Sequence, residues 1–353
     1  MKTCYINGMG CVSAQESTNF ETLLDLFKEL KEPVVKVHKP TYKAYIKPAM
    51  IRRMASGVKN SVVAANIALK EADLSNPDAI ITGTGMGCLI DSEKFLKKLI
   101  ENKEAFLTPT SFIQSTHNTV GGQIALALKC NAYNMTYVHN ATSFEIALID
   151  ALLMIQEGEE SVLVGGVDEL GDYTTELYRL LGQIKEEKSL SNGILKSNSI
   201  GTVFSEGASF FALGNKKSKN SYAKLIDVQI IDTCTQEEIA KKATSFLATN
   251  NLTVAEIDVV VLGINGDKDF QDFYSGFQQT LFKNTQQLYY KHLSGEYNTA
   301  SAFGLWMAAN ICKTKSIPAV TKLNNKPENG IKKVLLYNQF RGENHSFTLI
   351  ESC

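Results

Sequence analysis

Four short runs of apolar, largely β-branched residues, separated by stretches of helical periodicity, constrain the fold of this chain more than any other feature. They are Ala79-Ile80-Ile81-Thr82-Gly83, Ser161-Val162-Leu163-Val164, Val259-Val260-Val261-Leu262-Gly263 and Lys333-Val334-Leu335-Leu336-Tyr337-Asn338. None alternates polar with apolar residues, so each reads as a strand covered on both faces, as happens when helices flank a sheet on either side. Between them, Ser143 to Glu157 places Phe144, Leu148, Ala151, Leu152 and Ile155 on one side of a helix. Strands alternating with helices define an α/β protein. The glycines of Gly83-Thr84-Gly85-Met86-Gly87 follow one strand directly. They lack the GxGxxG spacing, and no Walker Lys-Ser/Thr follows, so they read as a tight turn rather than a nucleotide loop.

The chain has 353 residues, more than one core usually holds, which predicts two halves or stacked layers. The halves echo each other weakly. Asp78 leads into the Ile80 strand and a glycine turn, as Asp258 leads into the Val260 strand and another. Helical stretches, Ser61 to Ala72 and Thr235 to Ala248, precede the two. A duplicated βα unit accounts for this pattern. Gly, Lys, Ser and Asn cluster from Gly214 to Asn220 between apolar runs, which puts the division at residues 1–215 and 216–353.

Composition excludes several classes of function. A net charge of −1 argues against nucleic-acid binding, which needs an excess of Lys and Arg on one face. The run Lys216-Lys217-Ser218-Lys219 reads as a solvated loop. Seven scattered cysteines without CxxC spacing indicate neither a disulfide framework nor a metal site, and no motif calls for a cofactor. Met1 to Ile6 reads as the entry to a strand rather than a signal peptide, and no apolar run reaches membrane-spanning length, so a cytoplasmic protein is expected.

Six local motifs then occur in one order. They are Ile6-Asn7-Gly8-Met9-Gly10-Cys11-Val12-Ser13, the Gly83 to Gly87 turn, Pro109 through Asn118-Thr119-Val120, Gly158-Glu159 through Gly165-Gly166-Val167-Asp168, Ser205-Glu206-Gly207-Ala208, and Phe340-Arg341-Gly342-Glu343-Asn344. In this order they resemble the β-ketoacyl-acyl carrier protein synthases, the condensing enzymes of fatty acid and polyketide synthesis. The resemblance implies the thiolase-like fold, with two similar halves stacked as five αβαβα layers. It also implies a dimer joined by a strand from each subunit, for which Met135 to Val138 is the candidate.

The catalytic positions depart from the family. Its nucleophilic cysteine opens a helix at a sharp turn, and here Asn140-Ala141-Thr142-Ser143-Phe144 puts Ala141 there, or Asn140 with a shift of one residue. Neither bears a thiol, and the Thr142 and Ser143 hydroxyls are expected to cap the helix that follows. The first family histidine corresponds to Asn265, the second to Glu296 in Lys291-His292-Leu293-Ser294-Gly295-Glu296, and the family's buried acid to Leu305. Asn265 donates a hydrogen bond but does not titrate near neutrality, and a carboxylate at Glu296 would repel the charge of a malonyl enolate. His292 is one residue out of place, and His117 and His139 have no thiol to pair with.

The resemblance therefore implies a subunit of the chain-length-factor type. Such a subunit lacks the nucleophile and pairs with an active ketosynthase working on acyl carrier protein, in pathways such as those of aryl polyene or flexirubin-like pigments. Phe112, Ile113, Met135 and Tyr137 are the interface and tunnel candidates, with Phe112 or Ile113 stopping the growing chain in the partner's pocket. The other readings are a residual malonyl-carrier decarboxylase or acyltransferase with a remodelled site, and a homodimeric scaffold for carrier proteins.

Overall fold

The four apolar runs are strands of one ten-stranded sheet, found among the residues that the computed structural model describes: 2–17, 26–107, 109–186, 190, 193–326 and 330–353. The strands are β1 (Cys4–Val12), β2 (Ala79–Gly83), β3 (Tyr133–Tyr137), β4 (Ser161–Asp168), β5 (Gly207–Gly214), β6 (Ala223–Ile231), β7 (Val259–Leu262), β8 (Gln286–Tyr289), β9 (Lys333–Phe340) and β10 (Asn344–Ser352). The N-terminal run enters β1 at Cys4, while Met1 lies outside the described residues.

The strand order is β8-β7-β9-β10-β6-β1-β5-β4-β2-β3, and its two ends follow one plan. In the first half, β1 pairs antiparallel with β5, β5 antiparallel with β4, and β2 and β3 continue in parallel. In the second half, β6 pairs antiparallel with β10, β10 antiparallel with β9, and β7 and β8 continue in parallel. A short antiparallel contact of Cys4–Ile6 with Ala223–Leu225 joins them. Between β5 and β6 the chain is tied down: Ser221 Oγ donates to Asn7 Oδ1 at 2.6 Å and Asn220 Nδ2 to the Glu71 carbonyl at 2.7 Å.

Eight helices among the described residues concern the layers and the site: α1 (Ser56–Glu71), α2 (Leu89–Glu101), α3 (Pro109–Ser115), α4 (Thr119–Leu128), α5 (Ser143–Glu157), α6 (Asp172–Leu180), α7 (Gln236–Thr249) and α8 (Ser301–Thr314). Helix α5 has the predicted bounds, α1 starts five residues before the predicted Ser61, and α7 opens on Thr235 in a capping box with Glu238. In α8 every residue from Ser301 to Cys312 is buried, as an element enclosed on all sides must be. Helices α5 and α8 share a core with strands of both halves, so they form the middle layer. Helix α1 packs on the outer face of the first half-sheet and α7 on that of the second, each with its own core. The sequence of layers is αβαβα, the thiolase-like arrangement.

The opening glycines serve this packing. A Cβ on Gly8 would lie 2.1 Å from the Ala68 carbonyl oxygen, and one on Gly10 2.0 Å from that of Ala64. The β1 backbone therefore rests directly on α1, whose small residues leave room for it.

Candidate functional site

Three of the residues picked out by sequence meet in a buried cluster. The loop after β7 carries Asn265, and the turn Lys291–Ser294 with Gly295 (φ +69°) carries Lys291 and Glu296. Lys291 Nζ donates to Glu296 Oε1 at 2.8 Å and Oε2 at 2.7 Å. Asn265 Nδ2 donates to Glu296 Oε2 at 2.7 Å, and Asn265 Oδ1 accepts the Asp267 backbone N–H at 3.1 Å. The Glu296 backbone bridges to Val203 and Ser205 at the start of β5. Amine, carboxylate and amide thus satisfy one another.

This geometry revises two expectations. Leu305, matched by sequence to the family's acid, is buried in α8, and the carboxylate beside Lys291 is that of Glu296. Nor does Glu296 present an isolated negative charge, since the ammonium beside it compensates.

Ala141 is buried at the turn before α5, and the backbone there is unusual at its neighbour: Asn140 has φ +47°, the left-handed region that favours glycine. The expected capping is absent. Thr142 Oγ1 donates back to the His139 carbonyl at 3.0 Å, and Ser143 Oγ donates to the Asn140 carbonyl at 2.7 Å while accepting the His139 N–H at 2.8 Å. With a left-handed residue to hold, both hydroxyls brace the turn instead of the helix end. The end of β2 presses on it, since a Cβ on Gly83 would lie 2.4 Å from the Ser143 carbonyl oxygen.

Sequence reasoning passed over Glu145, which is buried in α5 and accepts from Ser346 Oγ at 2.9 Å. Burial raises its carboxyl above the ordinary range, opposed by the Ser346 hydroxyl and the Lys291 charge. The signal was available: an acid at position i of an apolar stripe continued by Leu148 and Leu152. Asp168 is another buried acid, accepting the Gly85 N–H and the Thr299 N–H and Oγ1, each at 2.8 Å, which fixes the Gly83–Gly87 turn.

The three histidines play separate parts. His292 is fully buried and stacks on Tyr289 with ring centroids 3.7 Å apart, and burial holds its imidazole down to about 3. His117 and His139 are exposed. The space beside Glu296, lined also by Met86, Asp168, Phe204, Tyr297 and Phe340, is a cavity of about 40 Å³. That admits a few water molecules, whereas small-molecule pockets measure roughly 300–1,000 Å³.

The interface candidates lie on two elements, β3 and α3. Strand β3 is the outer edge of the sheet and spans Tyr133–Tyr137, two residues earlier than predicted at its start and one at its end. Met135 is 37% exposed, Phe112 54% and Ile113 55%, and the Phe112 ring packs 5.4 Å from that of Phe95. Tyr137 is half-buried and donates to Asp150 Oδ2 at 3.1 Å. Among the described residues no group of His, Cys, Asp and Glu could hold a metal ion, and no helix is long and apolar enough to cross a membrane.

Residues 29–189 match the family model of the beta-ketoacyl synthase N-terminal domain. A beta-ketoacyl synthase from Burkholderia phymatum STM815 superposes with a TM-score of 0.81 at 16% identity, over 100% of both chains. The ishigamide ketosynthase/chain length factor gives 0.78 at 15% identity, over 100% of this chain and 99% of that one. A ketosynthase in complex with its chain length factor from Xenorhabdus doucetiae gives 0.76 at 15%, over 100% and 98%. No curated protein matches the sequence. The protein is thus similar to ketosynthases: residues 29–189 match the beta-ketoacyl synthase N-terminal domain, and the whole chain has the thiolase-like fold of the ketosynthase and chain-length-factor structures.

Proposed function

We propose that this chain is a non-catalytic, chain-length-factor-type subunit that pairs with an active β-ketoacyl-acyl carrier protein synthase in type II fatty acid or polyketide synthesis. Its halves are residues 1–215 and 216–353. The observation that carries this reading is the closed cluster of Lys291, Glu296 and Asn265. Condensation needs a thiolate to hold the acyl chain and free donors to stabilise an enolate. Ala141 offers no thiolate, and Asn265 and Lys291 both direct donors at Glu296. The small cavity beside them points the same way.

The partner follows from the exposed face. Edge strand β3 leaves one row of backbone groups unpaired by any strand among the described residues and carries the exposed Met135, while Phe112 and Ile113 are exposed on α3. Such an edge pairs with a strand of a second subunit, and the active synthase would bring the carrier protein to the complex. Co-expression with the ketosynthases encoded beside it, followed by intact-complex mass measurement, tests the reading. A one-to-one heterodimer is expected. A homodimer indifferent to every synthase would replace it with the carrier-protein scaffold. Acetyl-carrier protein formed from malonyl-carrier protein by this chain alone would replace it with the decarboxylase.

A further inference from the structure

A second grouping of an amine with hydroxyls lies in the segment leading to β5, apart from the Glu296 cluster. Lys185 follows a bridge between Ile184 and Thr202, and its backbone N–H donates to the Thr202 carbonyl at 3.0 Å. Its side chain turns inward, leaving the residue 2% exposed. Nζ lies 2.9 Å from Ser197 Oγ, 3.0 Å from Ser199 Oγ and 3.0 Å from the Ser199 carbonyl oxygen. The two hydroxyl oxygens are 2.9 Å apart. Lys185 is buried and both serines are partly exposed, so the group lies just beneath the surface.

We propose that Lys185, Ser197 and Ser199 form an acyl-transfer site that hydrolyses labile esters or thioesters, with Ser197 as the nucleophile. A serine hydroxyl acts as a nucleophile only when a base within hydrogen-bond reach takes its proton, and a lysine does this when burial favours its neutral form. Burial draws the Lys185 amine down to about 8, against the Asp267 carboxylate nearby, so part of it is neutral in mildly alkaline solution. Ser199 is the anchored member: its carbonyl accepts from both Lys185 and the Lys268 backbone N–H. Ser197 Oγ contacts the amine and the Ser199 hydroxyl, which leaves a lone pair for an acyl carbon.

The step balances with water as the only co-reactant. Ser197 Oγ bonds to the acyl carbon as its proton passes to neutral Lys185. The bond from that carbon to the leaving sulfur or oxygen breaks, and the leaving group departs with the proton from the Lys185 ammonium. Water then attacks the seryl ester, giving one proton to Lys185, and Ser197 regains its hydrogen as the carboxylic acid leaves. Thiolates and phenolates leave the tetrahedral intermediate far more readily than amide nitrogens do, which sets the substrate class.

The test uses the full chain with p-nitrophenyl acetate at pH 8.5, following nitrophenolate release and mapping the acetylated residue by mass spectrometry. Acetyl on Ser197 is expected, and the folded Ser197→Ala protein should lose both the label and the release. Lys185→Met should slow release by roughly 10²-fold or more. If that variant fails to fold, Ser199→Ala tests the brace and should give a partial loss. Acetyl confined to surface lysines, or release unchanged in Ser197→Ala, overturns the proposal. No residue of the Glu296 cluster takes part, so failure here leaves the subunit reading standing, and failure to find a heterodimer leaves this one standing.

Discussion

Lys291 Nζ lies 2.7 Å from Glu296 Oε2, and the two side chains are only 1% and 2% exposed, so they form a buried ion pair. Taking two charges out of water costs several kcal/mol per ion and is tolerable only when both stay paired. Glu296→Leu should therefore strand the ammonium and destabilise the fold by about 3–5 kcal/mol in urea denaturation. The double variant Lys291→Met/Glu296→Leu should recover most of that. A loss below about 1 kcal/mol for Glu296→Leu would mean that the pair is solvated.

Restoring the thiol should not restore condensation. Ala141→Cys supplies a sulfur, yet Asn265 and Lys291 still donate to Glu296, and no histidine lines the cavity beside Glu296 among the described residues. With acyl- and malonyl-carrier protein the variant should give no β-ketoacyl product by mass spectrometry. Turnover by this single variant would show that the closed cluster opens for substrate, against the subunit reading.

His292 should make the protein sensitive to acid. Its pKa falls from 6.5 to about 3 because burial disfavours the imidazolium. Between those values the unfolded chain binds the proton that the folded chain refuses. Stability from this group is therefore present above pH 6.5 and lost as pH falls toward 3, by an amount on the order of a few kcal/mol. His292→Phe keeps an aromatic ring against Tyr289 and removes the titration. Its unfolding midpoint should vary less over that range than that of the parent, and parallel pH profiles would contradict the assignment.

A charge on the sheet edge should disrupt the partnership. Met135 stands on β3 and is 37% exposed in the single chain. Met135→Glu would bury an unpaired carboxylate in an interface core and should weaken the complex at least about tenfold, while leaving the fold intact. Titration calorimetry with the partner synthase reads this directly. Unchanged affinity would place the interface elsewhere.

Chain length should respond to Phe112. The side chain is half-exposed and rests on Phe95, so Phe112→Ala should cost the isolated protein no more than about 1 kcal/mol. If the ring stops the growing chain, the reconstituted complex should release longer products. A stable complex with an unchanged product profile would leave Phe112 as interface packing, and Ile113 as the next residue to test.

The buried strands and the α5 helix were legible in the sequence, because apolar runs and helical periodicity are local properties of the chain. Boundaries were read less well at β3. Its exposed Tyr133, Asn134 and Met135 give no buried-strand signal, since the edge has a neighbour on one side only. The strand order that repeats in each half, and the burial of α8 on every side, needed contacts between distant segments.

The sequence by itself determined that Ala141, Asn265 and Glu296 bear neither a thiol nor an imidazole. Only the tertiary structure decided what the substitutes do. Glu296 reads as a misplaced repulsive charge until the turn at Gly295 brings it onto Lys291 and beneath Asn265. Whether a buried carboxylate is a liability or a partner depends on the distance to the nearest compensating charge, and the folded path of the chain sets that distance.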